Sequence, residues 1–220
     1  ACMALTCARQ LGWPPDWQAD LIHAGLLHDC GVSSSRVHRK LINELDWEGS
    51  TNHCILGEQY LAGFEPLANL APIIRYHHTH WDDLSELNLP AQTRQSSNLI
   101  YLVDRVDALS RGVTDAAPEQ RSEAIRARIR SLRGHFFDPM LTDAFLAVSA
   151  DPEFWCRLQP EPLREQMRSL PYIAPRQISD AEQLRGLARI FANIVDAKSS
   201  FTYAHSLGVA RLALHLAQRL

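Results

Sequence analysis

The stretch AGLLHDCG, residues 24–31, places a histidine and an aspartate at the end of an apolar helical pattern. His28 follows Gly25 and Leu21 by one and two helical turns, so it shares the face that the helix buries. A buried ionisable pair is costly unless a partner compensates it. A divalent metal is such a partner, because neutral imidazole and carboxylate groups suit Mn, Fe or Zn. A His-Asp dipeptide alone is more often incidental, so the prediction depends on further ligands elsewhere in the chain.

Further residues of these types stand on three other predicted helices: His53 in NHCILGEQYL (52–61), His77 and His78 in IIRYHHTHW (73–81), and Asp104 in YLVDRVDAL (101–109). Adjacent histidines on a helix point about 100° apart. His77 and His78 could therefore serve two metals, or one could bind a metal while the other meets a phosphate. Asp104 shares a face with Ile100 and Ala108, where a metal or a nearby cation would compensate the carboxylate. Such a set predicts a two-metal site that holds a phosphate and activates a water.

Helical periodicity recurs along the chain, whereas strand signals are nearly absent. We therefore predict an all-α fold, with a bundle of five to seven helices and a C-terminal helical extension. The predicted divisions are a domain over 1–148, a proline-rich connector over 149–178, and two helices over 179–220. Residues 82–97 are polar and contain Pro90, which predicts a loop.

In this order and spacing the segments resemble the HD superfamily of metal-dependent phosphohydrolases, and in particular its HD-GYP branch. GHFFDPMLTDAFL, residues 134–146, resembles the closing segment of that branch, and the resemblance covers roughly residues 1–148. It implies an HD-domain helical bundle. The metal ligands that it implies are His28, Asp29, His53, His77, His78 and Asp104. Asp29 would be the catalytic residue, because it would bridge the metals.

The resemblance also implies an activity. HD-GYP domains typically hydrolyse cyclic di-GMP, a bacterial second messenger, so we expect a metal-dependent phosphodiesterase acting on a cyclic dinucleotide. The expected cofactors are two divalent transition-metal ions, Fe or Mn first, with Zn and Ni also open. The expected mechanism is attack on phosphorus by a hydroxide that bridges the metals. Trp81 stands where the branch places a substrate-side aromatic residue, which implies stacking on guanine.

The chain departs from the branch pattern at four places: Thr79-His80 replaces the usual acid-arginine pair, the first ligand histidine is absent from the matching position, and two further departures concern the substrate side. Gly31 is followed by Val32 instead of the lysine that places a cation near the phosphate, and WDDLSELNLP, residues 81–90, lacks the GYP signature. Two alternatives therefore stay open. The domain could be catalytically impaired and serve regulation or dimerisation, or it could hydrolyse another nucleotide or phosphate ester, with 82–97 as a specificity element.

The C-terminal segment VDAKSSFTYAHSLGVARLALHLAQRL, residues 195–220, resembles the opening of a second HD-GYP domain, with His205 at its first ligand histidine. This implies a tandem partner domain. Alternatively, the last helix could bring His205 to the metals within one chain, or by swapping between the two chains of a homodimer.

Composition limits the partners and the compartment. The net charge of −3 offers no bulk attraction to a nucleic-acid polymer. No segment approaches the roughly 18 consecutive apolar residues of a membrane span. The five cysteines are scattered and form no CxxC, which is typical of a reducing compartment and predicts a cytoplasmic location.

Overall fold

The computed structural model describes residues 1–44, 47, 49–112, 117–170, 180–197 and 202–219. These residues form α-helices, one 3-10 helix and a single isolated β-bridge between Arg133 and Phe137, which confirms the all-α class. The α-helices are α1 Cys2–Gln10, α2 Pro15–Leu27, α3 Ser35–Asn43, α4 Ser50–Ala62, α5 Ala71–Tyr76, α6 Trp81–Glu86, α7 Ala91–Gly112, α8 Pro118–Ser131, α9 Pro139–Val148, α10 Pro152–Cys156, α11 Pro160–Arg168, α12 Ala181–Ala197 and α13 Thr202–Ala217. The 3-10 helix, Glu65–Leu70, leads directly into α5.

The helical segments are more numerous than the five to seven predicted, because prolines divide the chain into short helices. Proline occupies the first turn of six of the described α-helices, where its missing N–H has no helical acceptor in any case. These are α2, α5, α8, α9, α10 and α11. Side chains complete some of these starts, as where Asp138 accepts a hydrogen bond from the Met140 N–H at 2.7 Å.

α7 is the central helix of the bundle. It packs against α1, α2, α3, α5, α8 and α9, and Leu99, Leu102 and Val106 on it are fully buried. Asn98 joins α7 to the segment before α9: its side-chain amide donates to the Phe136 carbonyl at 2.9 Å and accepts from the Asp138 N–H at 2.8 Å. Asp104 therefore projects from the most constrained helix of the fold.

The loop predicted over 82–97 is wrong. Residues Trp81–Glu86 form α6, and α7 already begins at Ala91, directly after Pro90. The polar composition of this segment suggested a loop. In α6, however, the polar residues Asp82 and Asp83 lie in the first turn, where acidic side chains stabilise a helix. The backbone N–H of Trp81 donates to the Phe136 carbonyl at 3.0 Å, which fixes α6 to the bundle.

The C-terminal helices expose apolar side chains. In α12 one face packs inward through Ile190, which is 5% exposed, and Gly186 lies against the ring of Phe64. The opposite side of α12 and the end of α13 are apolar and exposed at Leu184, Phe191, Val195, Val209, Leu212, Leu214 and Leu216. None of the described helices is long and apolar enough to cross a bilayer. The divisions at 149 and 179 stay predictions.

Candidate metal centre

The six predicted ligands lie together, although they come from four separate parts of the chain. His28 caps the C-terminal end of α2 and Asp29 follows it, His53 is in the first turn of α4, His77 caps α5 and is followed by His78, and Asp104 lies in the middle of α7. The contact of α5 with both α4 and α7 brings these segments around one point. The convergence is what a shared metal centre requires, while the ligand role of each residue stays a prediction.

Asp29 lies at the middle of the cluster. Its Oδ1 is 3.5 Å from Nε2 of His53, and its Oδ2 is 3.6 Å from Nε2 of His28. On one side, the Nε2 atoms of His53 and His77 are 3.2 Å apart. On the other side, Nε2 of His28 is 3.7 Å from Oδ1 of Asp104. The donor atoms thus form two groups, which we call the His53–His77 half and the His28–Asp104 half, with one oxygen of Asp29 facing each.

Buried nitrogen atoms without hydrogen-bond partners indicate that the donor set suits a metal. Nε2 of His78, 3.9 Å from Oδ2 of Asp104, is buried and makes no hydrogen bond, and the buried Nδ1 of His53, on the side of its ring away from Asp29, is likewise without one. Such atoms are rare in folded proteins unless an ion or a water satisfies them. Imidazole and carboxylate donors within about 4 Å of one another match the ligands preferred by divalent transition metals. The residues present therefore fit the predicted ions.

The electrostatics of the centre favour the neutral form of three of its four imidazoles. Burial lowers the pKa of His53, and it lowers the pKa values of His77 and His78 well below the usual range. Burial alone would also lower the pKa of His28, but the hydrogen bond to Asp104 and the charge of Asp29 raise it instead. Neutral imidazoles bind metals, and at His28 a metal ion would replace the proton that the carboxylates attract.

Backbone carbonyls orient two of the rings. Nδ1 of His77 lies 2.6 Å from the Ile74 carbonyl, and Nδ1 of His28 lies 3.0 Å from the Gly25 carbonyl. With Nδ1–H donating to these carbonyls, each Nε2 is left unprotonated and turned toward the cluster. Bonds of this kind fix the tautomer of metal-binding histidines.

Two residues near the centre were missed by the sequence reasoning. The donor atoms of His53, Cys54 and His77 lie within 4.8 Å of one another, so the three could hold a metal ion. Sγ of Cys54 is 3.5 Å from Nδ1 of His77, on the side of the ring that faces away from Nε2, and burial raises the pKa of this thiol to about 12. The second residue is Arg105, whose side chain binds Asp104. Cys54 directly follows His53 in the chain, and Arg105 directly follows Asp104. This adjacency was the signal available in the sequence.

Two cavities border the His28–Asp104 half. One has a volume of about 200 Å³ and is lined by charged residues that include His28, Asp29, Asp104, Arg105 and Arg111. The other has a volume of about 470 Å³ and is mainly apolar, and its lining includes His28 and Asp104 together with Leu26, Val103, Ile125 and Trp155. The charged cavity and the apolar cavity thus share two lining residues, the predicted ligands His28 and Asp104.

The two remaining predicted site residues are not placed at the centre by any described contact. Trp81 is half-buried at the start of α6, and its contact with substrate stays a prediction. Its neighbour His80 stacks on Phe136 with ring centroids 3.8 Å apart. His205 is in α13, but its side chain lies outside the described residues, so its role as a ligand also stays a prediction.

Comparison with known proteins agrees with this geometry. A family model described as an HD domain matches residues 1–141. The 3'3'-cGAMP-specific phosphodiesterase 1 of Vibrio cholerae serotype O1 is 31% identical over 226 residues, which cover 99% of this chain and 52% of that protein. The chain therefore spans about half the length of this relative.

A solved structure shares the fold. The crystal structure of a cyclic GMP-AMP specific phosphodiesterase of V. cholerae (V-cGAP3) superposes with a TM-score of 0.68 at 21% identity, over 98% of this chain and 59% of that chain. At this identity the likeness shows the fold alone. The predicted HD superfamily is confirmed, while the HD-GYP branch stays a prediction.

Proposed function

This chain belongs to the HD domain family, and we propose that it hydrolyses a phosphodiester bond of a cyclic dinucleotide at a centre of two divalent metal ions. The observation that carries the proposal is the position of Asp29, with one oxygen 3.5 Å from His53 and the other 3.6 Å from His28. A carboxylate that faces two groups of ligands in this way is suited to bridging two ions.

The proposed ligands divide between the two halves. His53 and His77 would hold one ion, His28 and Asp104 the other, and Asp29 both. His78, with Nε2 3.9 Å from Oδ2 of Asp104, would complete the set. Iron or manganese fits this mixture of imidazole and carboxylate best, with zinc and nickel also compatible. When bound, such ions neutralise phosphate oxygens and lower the pKa of a coordinated water.

We propose a cyclic dinucleotide as the substrate for two reasons: the V. cholerae relative is named for one, and the two cavities beside the centre could hold its parts. The curated relative is named for 3'3'-cGAMP, whereas the sequence resemblance alone pointed to cyclic di-GMP. Both contain two purine bases joined by two phosphodiesters. The charged cavity of about 200 Å³ is lined by three carboxylates, so it would suit a phosphate once metal ions neutralise them, and the apolar cavity of about 470 Å³ suits a base. We propose 3'3'-cGAMP as the preferred substrate and a cytoplasmic location, which the five free cysteines support.

The competing proposal is a catalytically impaired domain that serves regulation or dimerisation and does not hydrolyse substrate, whether or not it binds metal. Val32 is a buried apolar side chain where a lysine would supply a cation, which favours this alternative. Action on another phosphate ester is the third candidate. The test must therefore separate metal binding from turnover and compare substrates.

Metal analysis followed by substrate comparison tests the proposal. Protein purified without oxygen is expected to contain about two equivalents of Fe or Mn per chain. It should then hydrolyse 3'3'-cGAMP faster than cyclic di-GMP, and both faster than bis(p-nitrophenyl) phosphate. Chelation should abolish hydrolysis, and added Mn²⁺ should restore it. Bound metal without hydrolysis of any of the three would support the regulatory alternative. Hydrolysis of the generic diester alone would support a different substrate.

The apolar surface of α12 and α13 leads to a prediction about partners. We propose that another helical domain covers it, either a tandem domain or a second copy of the chain. Leu184 and Phe191 are 58% and 62% exposed, and contiguous apolar surface of this kind marks interaction sites. The 220-residue chain is therefore expected to self-associate at high concentration.

Analytical ultracentrifugation of a Leu184→Ser/Phe191→Ser double variant measures this effect. Because both side chains are exposed, the variant should fold normally and sediment as a monomer where the unaltered chain associates. Met140→Ser, which alters an apolar side chain 43% exposed on α9, is the matched control and should still associate. A chain that is monomeric before any substitution would contradict the second-copy form of the proposal.

A further inference from the structure

Arg105 is a buried cation bound to one of the proposed metal ligands. The residue is 2% exposed, although arginine is among the residues least often buried. Its Nη2 donates to Oδ2 of Asp104 at 2.6 Å, and its Nε donates to the same oxygen at 3.2 Å. Its Nη1 donates to the Glu44 carbonyl at 3.0 Å, at the C-terminal end of α3. Since α3 packs on α7, the guanidinium is held from two helices.

This contact makes the two oxygens of Asp104 unequal. Oδ2 receives two hydrogen bonds from Arg105, whereas Oδ1 lies 3.7 Å from Nε2 of His28. Oδ2, which also lies 3.9 Å from Nε2 of His78, is thus occupied by Arg105, and Oδ1 is the oxygen that faces His28. In the His53–His77 half the closest donor pair, 3.2 Å apart, comes from α4 and the end of α5, and burial is the main cause and the charge of Arg105 a minor cause of the lowered pKa of His53 there.

We propose that Arg105 is a positioning residue that holds Asp104 for metal ligation through Oδ1, and that it thereby sets the metal affinity of the His28–Asp104 half far more than that of the His53–His77 half. The inference rests on the proposed two-metal function. Outer-shell groups that orient a metal ligand commonly contribute 10- to 100-fold in metal affinity, roughly. Loss of Arg105 should therefore weaken the binding of one ion more than that of the other.

Calorimetric titration of the metal-free chain with Mn²⁺ tests the inference. In Arg105→Gln, one of two Mn²⁺ equivalents is expected to bind about 10- to 100-fold more weakly, while the affinity of the other stays within about twofold. Arg105→Lys keeps the charge without the paired hydrogen bonds, so its loss should be smaller and confined to the same equivalent. Arg133→Gln is the matched control, because Arg133 binds Asp143 at 2.8 and 2.7 Å on the surface.

The difference between the two equivalents separates a positioning role from a structural one. Loss of the buried charge will lower the melting temperature of the metal-free protein in either case, so stability alone decides nothing. Equal weakening of both equivalents, or no weakening in a folded variant, would overturn the inference and leave the proposed function standing. If Arg105→Gln does not fold, Arg105→Lys decides, and affinities equal to those of the unaltered chain would overturn it. An unaltered chain that binds no Mn²⁺ would contradict the proposed function, and the inference with it.

Discussion

Asp29→Ala is expected to abolish hydrolysis and to release metal from both halves of the centre. The oxygens of Asp29 lie 3.5 Å from His53 and 3.6 Å from His28, so this one side chain faces both proposed ions. Its removal takes a negative ligand from each and separates the two halves. Loss of metal-based stabilisation of several kcal/mol corresponds to a decrease in kcat/KM of at least about 10³-fold. Metal content by elemental analysis and hydrolysis of 3'3'-cGAMP are the two measurements.

Asp29→Asn and Asp143→Ala make this prediction specific. The asparagine keeps the shape and one carbonyl oxygen but removes the charge, so we expect metal content to fall toward one equivalent, with activity still lost. Asp143→Ala removes an exposed carboxylate that binds only Arg133 among its described side-chain contacts, and it should leave metal and activity unchanged. An Asp29→Ala protein that keeps two ions and its activity would refute the bridging role.

The fold class and the proximity of the six predicted ligand residues were anticipated from the sequence, the full set through the resemblance to the HD superfamily and part of it on physical grounds. Histidine and aspartate are costly on the apolar face of a helix, so Asp104 beside Ile100 already indicated a compensating partner. Each of the four segments carried such a residue. Burial of His53 and His77, 2% and 0% exposed, agrees with that reading.

The features that the sequence reasoning missed depend on how separate helices approach one another. Arg105 can be buried because its guanidinium donates to the Glu44 carbonyl at the end of α3. The sequence around Arg105 does not indicate this acceptor, which is distant in the chain. The helix α6 was missed because its first turn is acidic and its neighbour Pro90 suggested a loop. The missing lysine after Gly31 was correctly noted, yet a cation is present nevertheless, on α7 instead of beside the His-Asp pair.

Gly31→Ala is expected to produce the largest loss of stability and to displace His53. A Cβ on Gly31 would overlap the His53 carbonyl oxygen and would lie 2.6 Å from the Gly57 nitrogen. Both contacts are to backbone of α4, which cannot rotate aside as a side chain can. The free energy of unfolding should fall by about 3 kcal/mol or more, the upper range for overpacking. For a domain of this size that corresponds to a melting temperature lower by about 6–12 °C.

The effect on the centre follows from the same contact. α4 must move away from the end of α2, and the 3.5 Å separation of His53 Nε2 from Asp29 Oδ1 must lengthen with it. Metal affinity should therefore decrease in whatever fraction of Gly31→Ala remains folded. Gly63→Ala is the matched control, because Gly63 caps α4 at φ −81° and a Cβ there would meet nothing within 4 Å. Thermal unfolding with and without Mn²⁺ measures both effects, and equal melting temperatures for the two variants would show that α2 and α4 do not approach this closely. In that case the close approach of α4 to Gly31 could not be the reason why His28, Asp29 and His53 lie together in one centre.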